Sequence, residues 1–133
     1  MPDVMVDSSV LLDVIGEDDE WLDWSASMLE EAGTLGRLVI NPIIYAEISV
    51  RVDVMEELDE ELEFFVTRRQ LPWEAAFLAG KCFERYRRAG GTRSAPLPDF
   101  FIGAHAAVED LTLLTRDARR FRTYFPKLRI LAP

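Results

Sequence analysis

The sequence is poor in residues that form covalent or metal cross-links. Its 133 residues include one cysteine, Cys82, and one histidine, His105. A single cysteine cannot form an internal disulfide, and it suits a reducing, intracellular compartment. We expect Cys82 to be a buried small apolar residue and His105 to pack in the core. No second histidine is then left for a zinc site or a catalytic triad.

Long apolar runs and targeting segments are also absent from the sequence. No uninterrupted apolar stretch approaches the roughly 18 residues of a membrane-spanning helix. The N-terminal sequence MPDVMV lacks the basic and apolar regions of a secretory signal. A chain of 133 residues suits one domain, 1–133, that buries about two-thirds of its unfolded surface. We therefore expect a single-domain cytoplasmic protein without membrane contact.

The net charge of −9 conceals a strong asymmetry between the two halves of the chain. Residues 1–66 carry 18 acidic and 2 basic side chains, whereas residues 67–133 carry 6 acidic and 13 basic ones. The acidic total disfavours loose binding of nucleic acid, but a local basic rim can still contact phosphates. The alternative is that the arginines form ordinary solvated helix faces. The arginines concerned are Arg85, Arg87, Arg88, Arg93, Arg116, Arg119, Arg120 and Arg122.

Short apolar segments alternate with helical patterns along the chain. Strands are predicted at 4–6, 37–40, 111–114 and 128–131. Helices are predicted at 8–16, 18–33, 42–52, about 53–67, about 74–89, 98–110 and from Ala118. The first is predicted to be capped by Ser8 or Ser9 and to stop at Gly16, the second to end at Gly33, and the third to be capped by Asn41. This order predicts a parallel sheet covered by helices on both faces, an α/β sandwich.

Four acidic residues are placed where such a sheet concentrates its chemistry. Asp7 follows the strand 4–6, and Asp117 follows the strand 111–114. Chemistry in parallel sheets gathers beyond the carboxyl ends of the strands, near the point where strand order reverses. Glu47 lies on an apolar helix and is expected to be buried, and Asp99 lies in the first turn of another apolar helix. A buried carboxylate is unfavourable without a cationic partner.

Each of these acids also has a purely structural explanation. Asp7, Asp99 and Asp117 can favour helix N-termini through the backbone dipole and the free amides. Glu47 can form a salt bridge to an arginine. Four carboxylates at one end of a sheet, however, would repel by about 4 kcal/mol per pair at ~4 Å and an effective dielectric of about 20. Hard divalent cations such as Mg²⁺ or Mn²⁺, which prefer oxygen ligands, would offset this repulsion.

The four acids lie in four motifs: VDSSVLLDVI around Asp7, YAEIS around Glu47, LPDFFIGAHA around Asp99 and LLTRDARRF around Asp117. In this order the motifs resemble those of PIN-domain nucleases, specifically the VapC-type toxins of bacterial and archaeal toxin–antitoxin pairs. The resemblance spans essentially the whole chain. It implies a three-layer α/β/α sandwich with a central, mainly parallel sheet. It also implies an endoribonuclease that depends on Mg²⁺ or Mn²⁺, a homodimer, and inhibition by a small antitoxin protein.

The resemblance further implies roles for the four acids. Asp7, Glu47, Asp99 and Asp117 fall on the family's acidic quartet, which is both catalytic and metal-binding. We expect Asp7 and Asp99 to be direct metal ligands. Glu47 is expected to ligate the metal or to position water, and Asp117 to complete a second or outer site.

Three neighbouring residues are candidates for contact with the RNA substrate. Ser8 falls on the family's small hydroxyl after the first aspartate, and Thr115 on the hydroxyl two residues before the last one. We expect both to donate hydrogen bonds to water or phosphate. Arg116 lies beside the site and either contacts the substrate backbone or forms a surface ion pair. Phe100 and Phe101 are bulkier than the residues that the family often has there, which affects packing.

The main alternative is a binding module, a catalytically weak PIN fold that binds RNA or an antitoxin. Four mutually repelling acids disfavour it, because a non-catalytic protein does not need them. A phosphoacceptor receiver domain would need a lysine beyond its last strand, and the two lysines are Lys81 and Lys127. A haloacid-dehalogenase-type phosphatase would need an aspartate at position 9, which is Ser9.

Three further features are explained most simply by structure. Asp13 is expected to be exposed. Trp21, Trp24 and Met28 form one helical stripe and are expected to lie in the core; if exposed, they would suggest a dimer or antitoxin groove. The segment DVMEELDEELEFF, residues 53–65, is expected to be a solvated acidic face around an apolar stripe, where a basic antitoxin segment can dock.

Overall fold

The computed structural model of this protein describes residues 2–133; Met1, the first residue of the predicted domain, lies outside the described residues. No helix within residues 2–133 is long and apolar enough to cross a membrane. The strands are β1 (Val4–Val6), β2 (Leu38–Ile40), β3 (Thr67–Arg68), β4 (Thr112–Leu114) and β5 (Ile130–Leu131). The helices are α1 (Ser8–Ile15), α2 (Leu22–Leu35), α3 (Pro42–Ser49), α4 (Met55–Leu62), α5 (Trp73–Arg88), α6 (Pro98–Val108) and α7 (Arg119–Tyr124).

All five strands form one parallel sheet in the order β3-β2-β1-β4-β5. Met5 of β1 is paired with Val39 of β2 on one side and with Leu113 of β4 on the other. The chain runs outward from β1 through β2 to β3, and then crosses back to the other side of β1. The strand order therefore reverses between β1 and β4, which leaves a crevice beyond their carboxyl ends.

Helices cover the sheet on both sides, which confirms the predicted three-layer α/β/α sandwich. Right-handed helical connections on both sides of the central strand β1 place helices on both faces of the sheet. The helix α3 contacts both α1 and α6. Among the helices, α1 packs on α2, and α6 packs on both α5 and α7. Val4, Met5 and Val6 of the central strand are at most 1% exposed, as expected for a parallel sheet covered on both faces.

Aromatic packing holds α6 close to α7. Phe100 of α6 is fully buried, and its ring centroid lies 4.9 Å from that of Tyr124 in an edge-to-face arrangement. A Cβ on Gly103 would lie 2.3 Å from Cε2 of Phe125. The absence of a side chain at Gly103 thus allows α6 to approach the end of α7. This packing places Asp99, which precedes Phe100, beside α7.

Side-chain caps start α1 and α3. Asp7 caps α1, because its backbone is extended and its Oδ1 accepts a 2.8 Å hydrogen bond from the N–H of Ser8. The predicted cap, Ser8 or Ser9, is wrong, since both serines already lie in the first turn; Gly16 ends the helix as predicted. Asn41 caps α3 as predicted, with its Oδ1 2.9 Å from the backbone nitrogen three residues on.

Several predicted boundaries are wrong. α2 continues through Gly33 and ends at Gly36, where a Cβ would lie 2.7 Å from the carbonyl oxygen of Pro2. α3 ends at Ser49 and α4 covers only Met55–Leu62, so each is shorter than predicted. β3 was not predicted, because two residues that include Arg68 give no apolar run.

Candidate active site

Asp7 lies at the end of β1, where the strand order reverses, and it is only 6% exposed. Its Oδ1 accepts the hydrogen bond from the N–H of Ser8. Its Oδ2 accepts a 2.7 Å hydrogen bond from Oγ1 of Thr115 and a longer one, 3.3 Å, from Oγ of Ser9. Donors from the start of α1 and from the end of β4 therefore converge on this carboxylate.

The pKa of the Asp7 carboxyl is raised to about 6, and burial is the main cause. The hydrogen bond from Thr115 acts in the opposite direction, whereas the nearby carboxylates of Asp99 and Glu47 raise the pKa further. Burial and like charges both disfavour the ionised form. The negative charge of Asp7 is therefore unfavourable at this position unless a proton neutralises it or another cation binds it.

Glu47 projects from α3 toward the start of α1. Its Oε1 accepts a 3.0 Å hydrogen bond from Oγ of Ser8, the residue after Asp7. Glu47 is half-buried rather than buried as predicted, and Ala46 next to it is exposed. Burial raises the pKa of Glu47, the hydrogen bond from Ser8 lowers it, and the charge of Asp99 raises it.

Asp99 lies in the first turn of α6 and faces α7. Its Oδ2 lies 3.2 Å from Nη1 of Arg120, with which it forms an ion pair. Burial raises the pKa of Asp99, Arg120 lowers it, and the carboxylate of Asp117 raises it. Arg120 is therefore the cationic partner that a partly buried acid requires.

Thr115 links the first and last of the four acids. The Thr115 side chain is fully buried, and its Oγ1 both donates to Asp7 and accepts a 3.2 Å hydrogen bond from the N–H of Asp117. Asp117 is exposed, and its Oδ1 lies 3.4 Å from the backbone nitrogen of Arg119 at the start of α7. Asp117 thus lies at the rim of the crevice, while Thr115 lies at its base.

The structure brings the four predicted acids into one electrostatically connected group. Asp7 is influenced by Glu47 and Asp99, and Asp99 by Asp117. An all-oxygen set of repelling carboxylates suits a hard divalent cation. Within residues 2–133, however, no three histidine, cysteine or acidic side chains are already arranged to hold a metal ion. Hydroxyls and a guanidinium engage the oxygens instead, so a cation would have to compete with these contacts.

Arg116 is engaged by Asp13. Its Nε and Nη2 donate to the two oxygens of Asp13 at 3.0 and 3.1 Å, and its guanidinium lies 5.2 Å from the ring centroid of Trp21. Asp13 is 2% exposed and also accepts a 2.7 Å hydrogen bond from Oγ of Ser25. The prediction that Asp13 is exposed is wrong, because these partners compensate its buried charge. Contact of Arg116 with the substrate stays a prediction.

His105 and Cys82 are buried core residues, as predicted. Nδ1 of His105 lies 3.0 Å from Nδ2 of Asn41, and Nε2 lies 2.5 Å from Oε1 of Glu109. Because Oδ1 of Asn41 caps α3, its amide group donates to His105, and the ring is neutral with its proton on Nε2. Burial lowers the pKa of His105. The histidine therefore supports the cap of the helix that carries Glu47.

The predicted core stripe is confirmed for Trp24 and Met28 but not for Trp21, and the predicted acidic face of α4 is confirmed. Trp24 and Met28 pack against the core, whereas Trp21 lies beneath Arg116. In α4, Leu58 and Leu62 are buried, and most of the acidic side chains between and around them are exposed.

Two residues of the site were not assigned to it from the sequence. Ser9 contacts Asp7 and also accepts a 3.3 Å hydrogen bond from the N–H of Arg116. Its position two residues after Asp7 is a local signal that could have identified it. Arg120 was grouped only with the basic residues. No local signal connects it to Asp99, which lies 21 residues earlier.

Comparisons with known proteins agree with the fold. The PIN domain family matches residues 4–126. VapBC2 from Rickettsia felis, bound to a DNA fragment from their promoter, is similar with a TM-score of 0.73 and 18% identity over 98% of both chains. VapBC-1 from nontypeable Haemophilus influenzae has a TM-score of 0.72 and 18% identity, over 97% of this chain and 96% of that one. A toxin–antitoxin complex from Klebsiella pneumoniae has a TM-score of 0.65 and 19% identity over 89% of both chains. No curated protein sequence matches the chain.

Proposed function

This chain belongs to the PIN domain family, and from that premise we propose that it is a divalent-metal-dependent endoribonuclease, the toxin of a VapBC-type toxin–antitoxin pair. The observation that carries the proposal is the group of acids Asp7, Glu47, Asp99 and Asp117 at the point of strand reversal. The pKa values of the first three are raised, with burial as the main cause and neighbouring carboxylates contributing. Such a group is unfavourable for the fold unless a cation joins it.

The proposed cofactor is Mg²⁺ or Mn²⁺. Asp7 and Asp99 are proposed as direct ligands, Glu47 as a ligand or as the residue that positions water, and Asp117 as part of a second or outer site. When bound, such an ion would lower the pKa of a coordinated water and offset negative charge on the phosphoryl oxygens. The donor set fits this ion, because its ligating atoms are all carboxylate oxygens.

The protein's own groups would orient the reactants. In hydrolysis, a water oxygen forms a bond to phosphorus, one P–O ester bond breaks, and the leaving oxygen takes up a proton. Ser8 and Thr115 hold Glu47 and Asp7 in place and are proposed to contact water or phosphate. Arg116 keeps 34% of its side chain exposed while paired with Asp13, which leaves an edge available to the RNA backbone.

Two protein partners belong to the proposal, a cognate antitoxin and a second copy of this chain. The acidic side chains of α4 suit a basic antitoxin segment by their charge. The adjacent groove, lined by Glu30, Glu63 and Phe64, adds an apolar contact, because Phe64 is 88% exposed there. Trp73 and Phe77 lie one turn apart on α5 and are 89% and 70% exposed, which supports a homodimer. The RNA substrate would place the protein in the cytoplasm.

The experiment that tests the proposal is RNA cleavage by the purified chain, freed of any antitoxin. We expect cleavage of cellular RNA with Mg²⁺ or Mn²⁺, and its loss when EDTA is added. Asp7→Asn and Asp99→Asn should abolish cleavage while circular dichroism shows an unchanged fold. Asp23→Asn, which changes an exposed aspartate on α2, is the matched control and should cleave as the wild type does.

Two results would contradict the proposal. If the aspartate variants cleave at the wild-type rate, the four acids do not carry the chemistry. If the wild type binds RNA or antitoxin but cleaves nothing with either metal, the chain is the catalytically weak binding module instead.

A further inference from the structure

We propose that Arg120 is a phosphate-binding residue of this site. Its guanidinium pairs with Asp99 until a divalent cation binds the Asp99 carboxylate, and it is then free to bind phosphate. The inference rests on the proposed hydrolysis of RNA and adds to it a residue outside the predicted set. Its central observation is that the 3.2 Å ion pair between Arg120 and Asp99 occupies a carboxylate oxygen that a metal would need.

Arg120 is the basic side chain that pairs with one of the four acids. Within residues 2–133, no other basic side chain forms an ion pair with any of the four carboxylates. An RNA backbone that approaches such an acidic crevice is repelled unless positive charge offsets the carboxylates. A guanidinium suits this purpose, because its planar fork of N–H donors matches the oxygens of a phosphate.

The ion pair between Arg120 and Asp99 is weak enough for Arg120 to exchange Asp99 for another partner. It is one hydrogen bond from Nη1, and the two side chains are 45% and 31% exposed. Exposed ion pairs of this type are weak. Arg116 differs, because it binds both oxygens of a buried aspartate and lies over Trp21. Of the two arginines, Arg120 is therefore the one that can change partners at low cost in stability.

The fold keeps Arg120 beside the site when it leaves Asp99. The helix α7 is anchored by the buried ring of Phe121, the residue after Arg120, and by the packing of Tyr124 on Phe100. A cation of two charges competes effectively with a single guanidinium for Asp99. Arg120 then gives up that carboxylate but stays next to the cluster, where a phosphate bound to the cation would lie.

Metal binding provides the first test. The melting temperature of the wild type, Arg120→Ala, Arg120→Gln and Arg122→Ala is measured against Mn²⁺ concentration without RNA. Both Arg120 variants lack the ion pair that competes with the metal. The Mn²⁺ concentration that gives half of the maximal increase in melting temperature should therefore be about two- to fivefold lower in them than in the wild type. Arg122→Ala removes the same charge from an exposed position on α7 and should respond as the wild type does. Arg120 variants that need more Mn²⁺ would overturn the proposal.

RNA binding provides the second test. Fluorescence anisotropy of a labelled single-stranded RNA is measured with Ca²⁺, an oxygen-binding cation, and again in EDTA. In Ca²⁺, Arg120→Ala should bind about three- to tenfold more weakly than the wild type. Its slope of log affinity against log salt concentration should fall by about 0.7, the value for one phosphate contact to a single strand. In EDTA the difference in RNA affinity between the wild type and Arg120→Ala should be smaller, because Arg120 is then paired with Asp99.

An unchanged affinity and salt slope of Arg120→Ala in Ca²⁺ would overturn the proposal, as would an equal effect of Arg122→Ala in both conditions. Neither measurement requires turnover. Failure of the wild type to cleave RNA would therefore contradict the proposed function alone, while the metal and RNA titrations decide the role of Arg120.

Discussion

Oγ1 of Thr115 donates a 2.7 Å hydrogen bond to Oδ2 of Asp7, and it thereby joins the ends of the neighbouring strands β4 and β1. Both residues are buried, at 0% and 6% exposure. The same hydroxyl accepts from the N–H of Asp117. One hydroxyl thus relates the first acid of the site to the last, although 108 positions separate Thr115 from Asp7.

The raised pKa of Asp7 predicts that metal binding depends on pH. The carboxyl has a pKa of about 6, and a carboxylate must lose its proton to bind a metal ion. The increase in melting temperature caused by Mn²⁺ should be full at pH 7.5 and should decline as the pH falls through about 6. Calorimetric melts from pH 5 to 8 test this. A constant Mn²⁺ effect across that range would contradict it.

Thr115→Val should shift this pH dependence upward. The hydrogen bond from Thr115 lowers the pKa of Asp7, so its loss should move the midpoint of the Mn²⁺ effect to a higher pH than in the wild type. Thr115→Ser keeps the hydroxyl and is the matched control. A valine variant with the wild-type midpoint would show that the hydroxyl does not tune Asp7.

Asp7→Asn should stabilise the fold at neutral pH. The folded-state pKa of Asp7 is raised from 3.8 to about 6, so its protonated form is favoured in the fold. That stabilisation is complete below 3.8 and is lost as the pH rises through about 6. A neutral amide should therefore increase the free energy of unfolding by about 1–3 kcal/mol at pH 7.5. Urea titrations at pH 7.5 and pH 4.5 measure it, and the gain should shrink at the lower pH. A variant that is less stable than the wild type at pH 7.5 would refute this.

Arg116→Ala should destabilise the protein. Asp13 is 2% exposed and relies on the two hydrogen bonds from Arg116. Removing one partner of a buried pair leaves the other charge uncompensated, and we expect a loss of about 2–3 kcal/mol. The double variant with Asp13→Asn should recover part of this loss, because the buried charge is then gone. Equal stability of Arg116→Ala and the wild type in urea would contradict the arrangement.

The imidazole of His105 should titrate below its ordinary pKa. Burial lowers the pKa, Glu109 opposes the change, and Arg69 adds to the lowering. Protonation of Nδ1 would also break its contact with the amide of Asn41. Stability from the neutral ring is present at neutral pH and is lost as the pH falls below about 6.5. Because the chain has one histidine, a single NMR titration gives the value directly. A pKa at or above 6.5 would contradict this interpretation.

The features that were predictable from the sequence depend on local patterns. Apolar runs such as Val4–Val6 mark the central strands, and Asn41 followed by Pro42 marks the start of a helix. Since parallel strands share one carboxyl edge, acids that follow them were expected to meet. The edge strand Thr67–Arg68 has no such pattern. It forms because Val39 and Ile40 of β2 offer it a partner.

Features that depend on distant partners could not be predicted. Asp13 is buried because Ser25 and Arg116, 12 and 103 positions away, provide its hydrogen bonds. The distinction between Arg116 and Arg120 likewise depends on which acid each one meets in the folded chain. Composition alone gives both arginines the same character.

The placement of β1 between β2 and β4 has a consequence for protein synthesis. Asp7 leaves the ribosome 108 residues before its partner Thr115, and Asp117 follows Thr115 by two residues. A nascent chain that has formed β1, β2 and β3 still has an open flank on its first strand and lacks one side of the crevice. Any activity of this site therefore requires that the chain be translated through at least Asp117.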